Sequence, residues 1–223
     1  MDRPGNDPAL LADDLRNLRV INRCFGGLRV ARRSIVRLID GSPHRSPIEL
    51  LDLATGSADY PVHIAEWMKS ARRQVRIEAV DKNAFMVAAA RERTARIPEI
   101  SVHEIDILSL PYPDGSFDVV MCSSALHHFS RGEAVRILRD MIRISRIGII
   151  VNDLERSRIG AWAAWLYVHS TTRNPITWND SYVSVLRGFT KAELTAMAEE
   201  AGIKHHHVRR HPFFRLVLVG MHR

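Results

Sequence analysis

Hydrophobic and polar positions along this chain follow two patterns in turn. Over the first forty residues the spacing is helical. Asp13 and Asp14 precede Leu15, Leu18, Ile21 and Asn22 on neighbouring faces, Phe25-Gly26-Gly27 interrupts the run, and a second helix occupies Val30 to Ile39. The turn GSPHRSP, 41–47, closes that segment. Short apolar runs then alternate with helical stretches. Strands are expected at Glu49–Leu53, Val75–Val80, Ile100–Glu104, Phe117–Cys122 and Ile147–Val151. Between them helices are expected over Val62–Arg73, Ala84–Arg96 and Glu133–Ile144, the last with Val135, Leu138, Met141 and Ile142 at helical spacing. After an aromatic excursion at 154–187, Thr190 and Glu193 form a capping box for a helix that stops at Gly202. His205–Arg210 and Phe213–Met221 then read as two strands joined by a turn at Pro212, hence antiparallel.

Strand–helix alternation predicts a mostly parallel sheet with helices on both faces and an antiparallel last strand, seven strands in all. Ligands of such sheets sit outside the carboxyl ends of the strands, where the strand order reverses. The polar residues at those ends are Asp52, Asp81, Asp106, Ser123, Ser124 and Asp153, so five consecutive strands deliver polar groups to one rim.

Composition narrows the picture. The 223 residues are 46% hydrophobic, enough for a sizeable core. The longest apolar run, IGAWAAWLYV at 159–168, is too short for a bilayer, and the N-terminus lacks the apolar core of a secretion signal. Cys24 and Cys122 show no metal-ligand spacing and suit a reduced, cytoplasmic protein; both read as packing residues, Cys122 being the nearer to a site. The net charge of +7 comes from scattered arginines with no basic tail, so no nucleic-acid partner is expected. The internal His205-His206-His207 run lies on a strand whose successive side chains point to opposite faces, and no metal site is expected.

The loop LLDLATGSADYP, 50–61, identifies a ligand class. A dinucleotide fingerprint needs three glycines for the pyrophosphate, and this loop has Gly56 alone, between Ala54 and Ala58. An adenosyl ligand without phosphate tolerates that, and S-adenosylmethionine is such a ligand. Its cationic methionine end suits Asp52, beside Ala54, Thr55 and Gly56. Asp81 at the end of the second strand can accept from both ribose hydroxyls. Asp106 can accept from the adenine amino group, with Ile107 or the stem of Lys82 over the ring, and Ser123 completes the rim.

LLDLATGSAD, AVDKN, DILSLPYPDGSFDVVMCSSALHHF and the final strand pair together resemble a class I methyltransferase, over 47–153 by motif and over 188–223 by architecture. The loop is similar to that of the quinone-type methyltransferases, departing from it in having Ala58 for the last glycine, which implies a tighter loop. NLRVINRCFGG, NDLERSRIGAWAAW and SVLRGFTKAEL are similar to small bacterial methyltransferases that accompany type III polyketide synthases, which implies secondary metabolism and a phenolic or quinone-like acceptor, often with a lipid chain. The resemblance implies a single Rossmann-like α/β domain: N-terminal helices (1–46), a cofactor-binding core (47–153), a substrate lid (154–187), and a C-terminal helix and strand pair (188–223).

Methyl transfer to a hydroxyl benefits from a base. Ser123-Ser124-Ala125-Leu126-His127-His128 follows the fourth strand, and His127 is the first choice for that base, His128 the second. In related methyltransferases the matching positions often hold a Glu-His pair. Asp153 orients a substrate hydroxyl or a histidine, or else caps the following helix. Trp162, Trp165, Trp178 and Tyr182 are expected to wall the substrate, against the plainer reading of ordinary helix packing. Asn22 or Arg23 could reach the methionine carboxylate. O-methylation leads, C-methylation of a quinone or phenol ring is the alternative, and RNA methylation ranks below both, since the fourth strand ends in Ser-Ser-Ala-Leu instead of an amino-methylating Pro-Pro-aromatic segment. The acceptor and the oligomeric state are not legible in the sequence.

Overall fold

A computed structural model of the chain describes residues 7–41 and 46–222, so the middle of the turn expected over 41–47 and the first six residues lie outside the description. Two helices open the fold, α1 (Pro8–Cys24) and α2 (Gly27–Asp40). Five strand units follow: β1 (Ile48–Leu53), α3 (Asp59–Ser70), β2 (Val75–Asp81), α4 (Ala84–Thr94), β3 (Ile100–Glu104), β4 (Phe117–Ser123), α5 (Arg131–Ile144) and β5 (Ser145–Leu154). The excursion resolves into two helices, α6 (Arg158–Thr171) and α7 (Pro175–Arg187), and α8 (Lys191–Glu200) leads to β6 (His205–His211) and β7 (Arg215–Met221).

The seven strands stand in the order β3-β2-β1-β4-β5-β7-β6, and β7 alone runs against its neighbours. The order reverses between β1 and β4, which places the switch point where their carboxyl ends open. β4 is buried at every position, so its centre, Val119–Cys122, is continuously apolar, and the buried Asp118 before it is paired with Arg146. One core lies under α2, α3 and α4, built on Ile35, Leu38, Leu50, Ile64 and Met68. The other lies under α5 and α8, built on Leu53, Val120, Leu138, Met141 and Met197. The expected capping box of Thr190 with Glu193 opens α8, and a second one, Ser130 with Glu133, opens α5.

Element boundaries shift where the backbone turns left-handed. α3 begins at Asp59, three residues before the expected Val62, because Ala58 at φ 58° caps it. β7 begins at Arg215 and not at Phe213, because Phe213 (φ 63°) and Phe214 (φ 54°) leave the extended region. α1 is tied to the α6–α7 connection by a polar seam. Thr177 Oγ1 donates to the buried Asp14 Oδ1 at 2.6 Å, and Asn174 Nδ2 donates to Asp13 Oδ2 at 2.8 Å and to the Leu10 carbonyl at 2.8 Å. Thus α1, α6 and α7 pack together as a roof over the rim. Among the described residues no helix is long and apolar enough to cross a membrane.

β5 approaches β7 closely at two glycines. A Cβ at Gly148 would lie 2.3 Å from the Gly220 carbonyl oxygen and 3.3 Å from Leu38 Cδ2. Gly148→Ala should therefore cost about 1–3 kcal/mol of unfolding free energy. Gly132→Ala, which meets open space on α5, should leave stability unchanged or raise it. Urea denaturation of the two variants checks this; equal midpoints would refute it.

Candidate active site

The β1–α3 loop takes the left-handed region at three alternate positions: Ala54 (φ 52°), Gly56 (φ 56°) and Ala58 (φ 58°). Two of these are alanines, each strained by about 1–2 kcal/mol relative to an ordinary conformation. The loop thus keeps the shape that three glycines would give, with less freedom. Gly56 has no atom within 4 Å of where a Cβ would stand, so its open side faces the cavity. The Gly56 N–H donates to Asp81 Oδ2 at 2.9 Å and the Asn83 N–H to Asp81 Oδ1 at 2.9 Å, tying the loop to the end of β2. Thr55 Oγ1 donates to Asp52 Oδ2 at 2.7 Å, whereas Asp52 Oδ1 is buried without a partner. Burial pushes the Asp52 carboxyl up to about 7, and the nearby carboxylates of Asp81 and Asp59 add to that. A buried acid whose outer oxygen lacks a donor fits a cationic ligand group. Ser123 Oγ, at the end of β4, is likewise buried without a partner and lines the same cavity.

Across the switch point, a short 3₁₀ turn at Leu126–His128 follows β4. Asp153, at the end of β5, holds this turn from behind. Its Oδ2 accepts from the His127 backbone N–H at 2.9 Å, and its Oδ1 lies 2.7 Å from His127 Nδ1 and accepts from the Leu154 N–H at 2.7 Å. Burial raises the Asp153 carboxyl, but the charge of His127 and these hydrogen bonds outweigh it, holding the group below the usual carboxylate range. With Nδ1 engaged, His127 Nε2 is the atom left to act; it is buried without a partner and His127 lines the cavity. His128 is exposed, lines the cavity too, and stacks on His127 with ring centroids 4.2 Å apart.

The cavity is about 710 Å³. It brings together Asn22, Ala54, Thr55, Gly56, Asp81, Lys82, Ile107, Ser123, Ser124, His127 and His128 of the residues singled out from sequence, and Arg23 is not among its lining. The others lie elsewhere. Asp52 sits beneath the loop. Asp106 is exposed and accepts from the Leu108 N–H at 2.9 Å, as a turn residue does. Asp153 stands behind His127 and outside the lining, with both carboxylate oxygens engaged by that residue. The aromatic wall is corrected as well. Trp162 is 62% exposed and Trp165 37% exposed, on the outer side of α6. Trp178 donates from Nε1 to the Thr172 carbonyl and stacks on His169, and Tyr182 packs near Trp162. None of these four lines the cavity; Gly160, Ala163, Ala164, Tyr167 and Val168 do so from α6, because the face turned inward must be small enough to leave room. Cys122 is fully buried outside the lining.

Sequence reasoning missed Tyr60, Phe213, Phe214 and Arg215, all of which line the cavity. The spacing 160, 163, 164, 167, 168 was a readable signal for the inward face of α6. For Arg215 there was none, since its place depends on the C-terminal hairpin lying beside β5.

Comparison with known proteins agrees with this geometry. Residues 50–148 match the family model described as a methyltransferase domain. A demethylmenaquinone methyltransferase of Thermus thermophilus is 33% identical over 108 residues, 46% of this chain and 47% of that protein. Ajmaline N-methyltransferase of Rauvolfia serpentina is 29% identical over 138 residues, 56% of this chain and 46% of that protein. The chain thus spans about half the length of these curated relatives. The crystal structure of a SAM-dependent methyltransferase from Aquifex aeolicus superposes with a TM-score of 0.67 at 16% identity, covering 97% of this chain and 98% of that one, which supports the fold. The core of this chain, residues 50–148, thus resembles a methyltransferase domain, and its overall fold is that of the S-adenosylmethionine-dependent methyltransferase structure it superposes on.

Proposed function

We propose that this protein methylates a small phenolic or quinone-like acceptor at a hydroxyl, with His127 as general base. The observation that carries this reading is the His127–Asp153 pair, whose unpartnered Nε2 lines the same cavity as the β1–α3 loop. Bound at that loop, S-adenosylmethionine supplies an electrophilic methyl carbon on a sulfonium. Gly56 and Asp81 are suited to its ribose and Ile107 to its adenine, while Asp52, beneath the loop, lends its negative charge to the side that receives the cationic methionine end.

The chain's own residues then handle the proton. Asp153 accepts from Nδ1–H and fixes the tautomer that leaves a lone pair on Nε2. Nε2 takes the proton of the acceptor hydroxyl, and the carboxylate of Asp153 stabilises the imidazolium that results. Deprotonation raises nucleophilicity at the oxygen and at the ring carbons alike. The similarity to a demethylmenaquinone methyltransferase favours a quinone-like acceptor and keeps ring C-methylation as the second reading. The largely apolar roof, with Leu15, Leu18 and Val168, suits a ring or an alkyl chain.

Incubation with methyl-¹³C-labelled S-adenosylmethionine and a panel of phenols, resorcinols and hydroxyquinones, read by carbon NMR, tests the assignment. A methyl-ether signal is expected; an aryl-methyl signal selects the second reading, and no product despite S-adenosylhomocysteine binding overturns both. His127→Ala should lower kcat by about 10²–10⁴-fold, and Asp153→Asn should act in the same direction. Initial rates check this, and an unchanged kcat in the alanine variant would remove the base. Asp52 gives a pH signature. The folded chain holds its proton more tightly than the unfolded one, so this contribution to stability is complete below about 3.8 and lost as pH climbs through about 7. Asp52→Asn should flatten that part of the thermal-stability profile, while S-adenosylhomocysteine affinity in the unsubstituted protein should fall as pH drops below 7. Titration calorimetry showing constant affinity from pH 5.5 to 8 would contradict the electrostatic part given to Asp52.

A further inference from the structure

Arg215 is the first residue of β7 and only 2% exposed, yet it lines the cavity. Its partners are all neutral. Nη1 donates to Asn152 Oδ1 at 3.2 Å and to Ser124 Oγ at 3.4 Å, and Nη2 donates to Asn22 Oδ1 at 3.1 Å. Nε is buried with no partner at all, and no carboxylate among the described residues pairs with the guanidinium. A buried cation without a counter-charge is costly, several kcal/mol in typical proteins. The surroundings add to the cost. A Cβ at Gly27 would lie 2.8 Å from Arg215 Cζ, so the guanidinium packs on the first residue of α2. That helix has Gly26 at its N-cap with no side-chain cap, and its positive end faces the same spot. Arginine, helix terminus and orphaned Nε together call for an anion.

The position in the fold narrows the choice. Asn152 and Asp153 are successive residues of β5 and point to opposite faces. Asn152 binds Arg215, Tyr60 and the Gly27 carbonyl on the α2–α3 side, whereas Asp153 binds His127 on the other. The two charged anchors therefore flank the end of β5. Beside Arg215, the strained Phe213 and Phe214 line the same cavity, and the rings of Phe25 and Phe213 meet edge to face at 5.2 Å.

From this arrangement, and resting on the reading of the cavity as a methyl-acceptor site, we infer that Arg215 seats an ionised oxygen of the acceptor. The acceptor class is thus a planar ring that bears an anionic oxygen (an acidic enol, a phenolate or a carboxylate) in addition to the hydroxyl served by His127. Phe213 and Phe214 hold the ring, and Arg215 fixes which end faces the base.

Equilibrium binding in the presence of S-adenosylhomocysteine tests this without turnover, so failure to find a methylated product does not bear on it. The probes are 2-hydroxy-1,4-naphthoquinone, an anion at neutral pH, and 1,4-naphthoquinone, which has the same ring and no ionised oxygen; tryptophan fluorescence or calorimetry reads both. The unsubstituted protein should prefer the anion. Arg215→Met should weaken the anion by about 10–100-fold, the span of a hydrogen bond to a charged group. The neutral quinone and S-adenosylhomocysteine should change by less than about threefold on the same scale. Arg215→Lys should recover part of the loss, and it decides the matter by the same probes if the methionine variant does not fold. Three outcomes overturn the inference: no preference for the anion in the unsubstituted protein, an equal loss for all three ligands, or a loss confined to S-adenosylhomocysteine, which would assign the guanidinium to the methionine carboxylate.

Discussion

A strand sends successive side chains to opposite faces, and at the end of β5 that rule sets Asn152 and Asp153 back to back. Both are buried, and each organises a different half of the rim. Asp153 fixes the backbone and the ring of His127 with two oxygens. Asn152 takes Arg215 on its carbonyl and gives its amide hydrogens to the Gly27 carbonyl and Tyr60. A slip of one residue in the β4–β5–β7 register would exchange these faces and dismantle both halves. The close glycine contact between β5 and β7 sits on the same strands, so the packing that sets the register also sets the chemistry.

The sheet and its antiparallel final pair were legible because the strand–helix alternation and the turn residues repeat so regularly, whereas the strand order came only from the structure. The polar strand ends were legible for the same reason, and Gly56, Asp81 and His127 followed from them. Asp106 was not separable from a turn residue, because an acid at a strand end satisfies a neighbouring N–H as readily as it would a ligand. The tryptophans misled for a different reason. α6 is apolar nearly all round, so composition alone does not say which face points inward; the small residues decide it, by being where space is needed. Arg215 was out of reach, since only the pairing of β7 with β5 brings it to residues 63 and 91 positions away.

The roof explains how an open rim becomes an enclosed site. α1 and α7 are joined by polar contacts instead of a continuous apolar seam: Asp14 with Thr177, and Asn174 with Asp13 and Leu10. Burial raises the Asp14 carboxyl, and its Oδ2 has no partner. Polar joints of this kind hold orientation while contributing less cohesion than a packed core, which suits helices that must admit a bulky ligand beneath them.

The hairpin tip has a consequence of its own. Phe213 and Phe214 occupy a backbone region where glycine or asparagine would rest at ease, and each residue held there sacrifices of order 1–3 kcal/mol. The hairpin tip thus gives up stability at the edge of the cavity, in a turn whose side chains can change without disturbing the sheet that carries them.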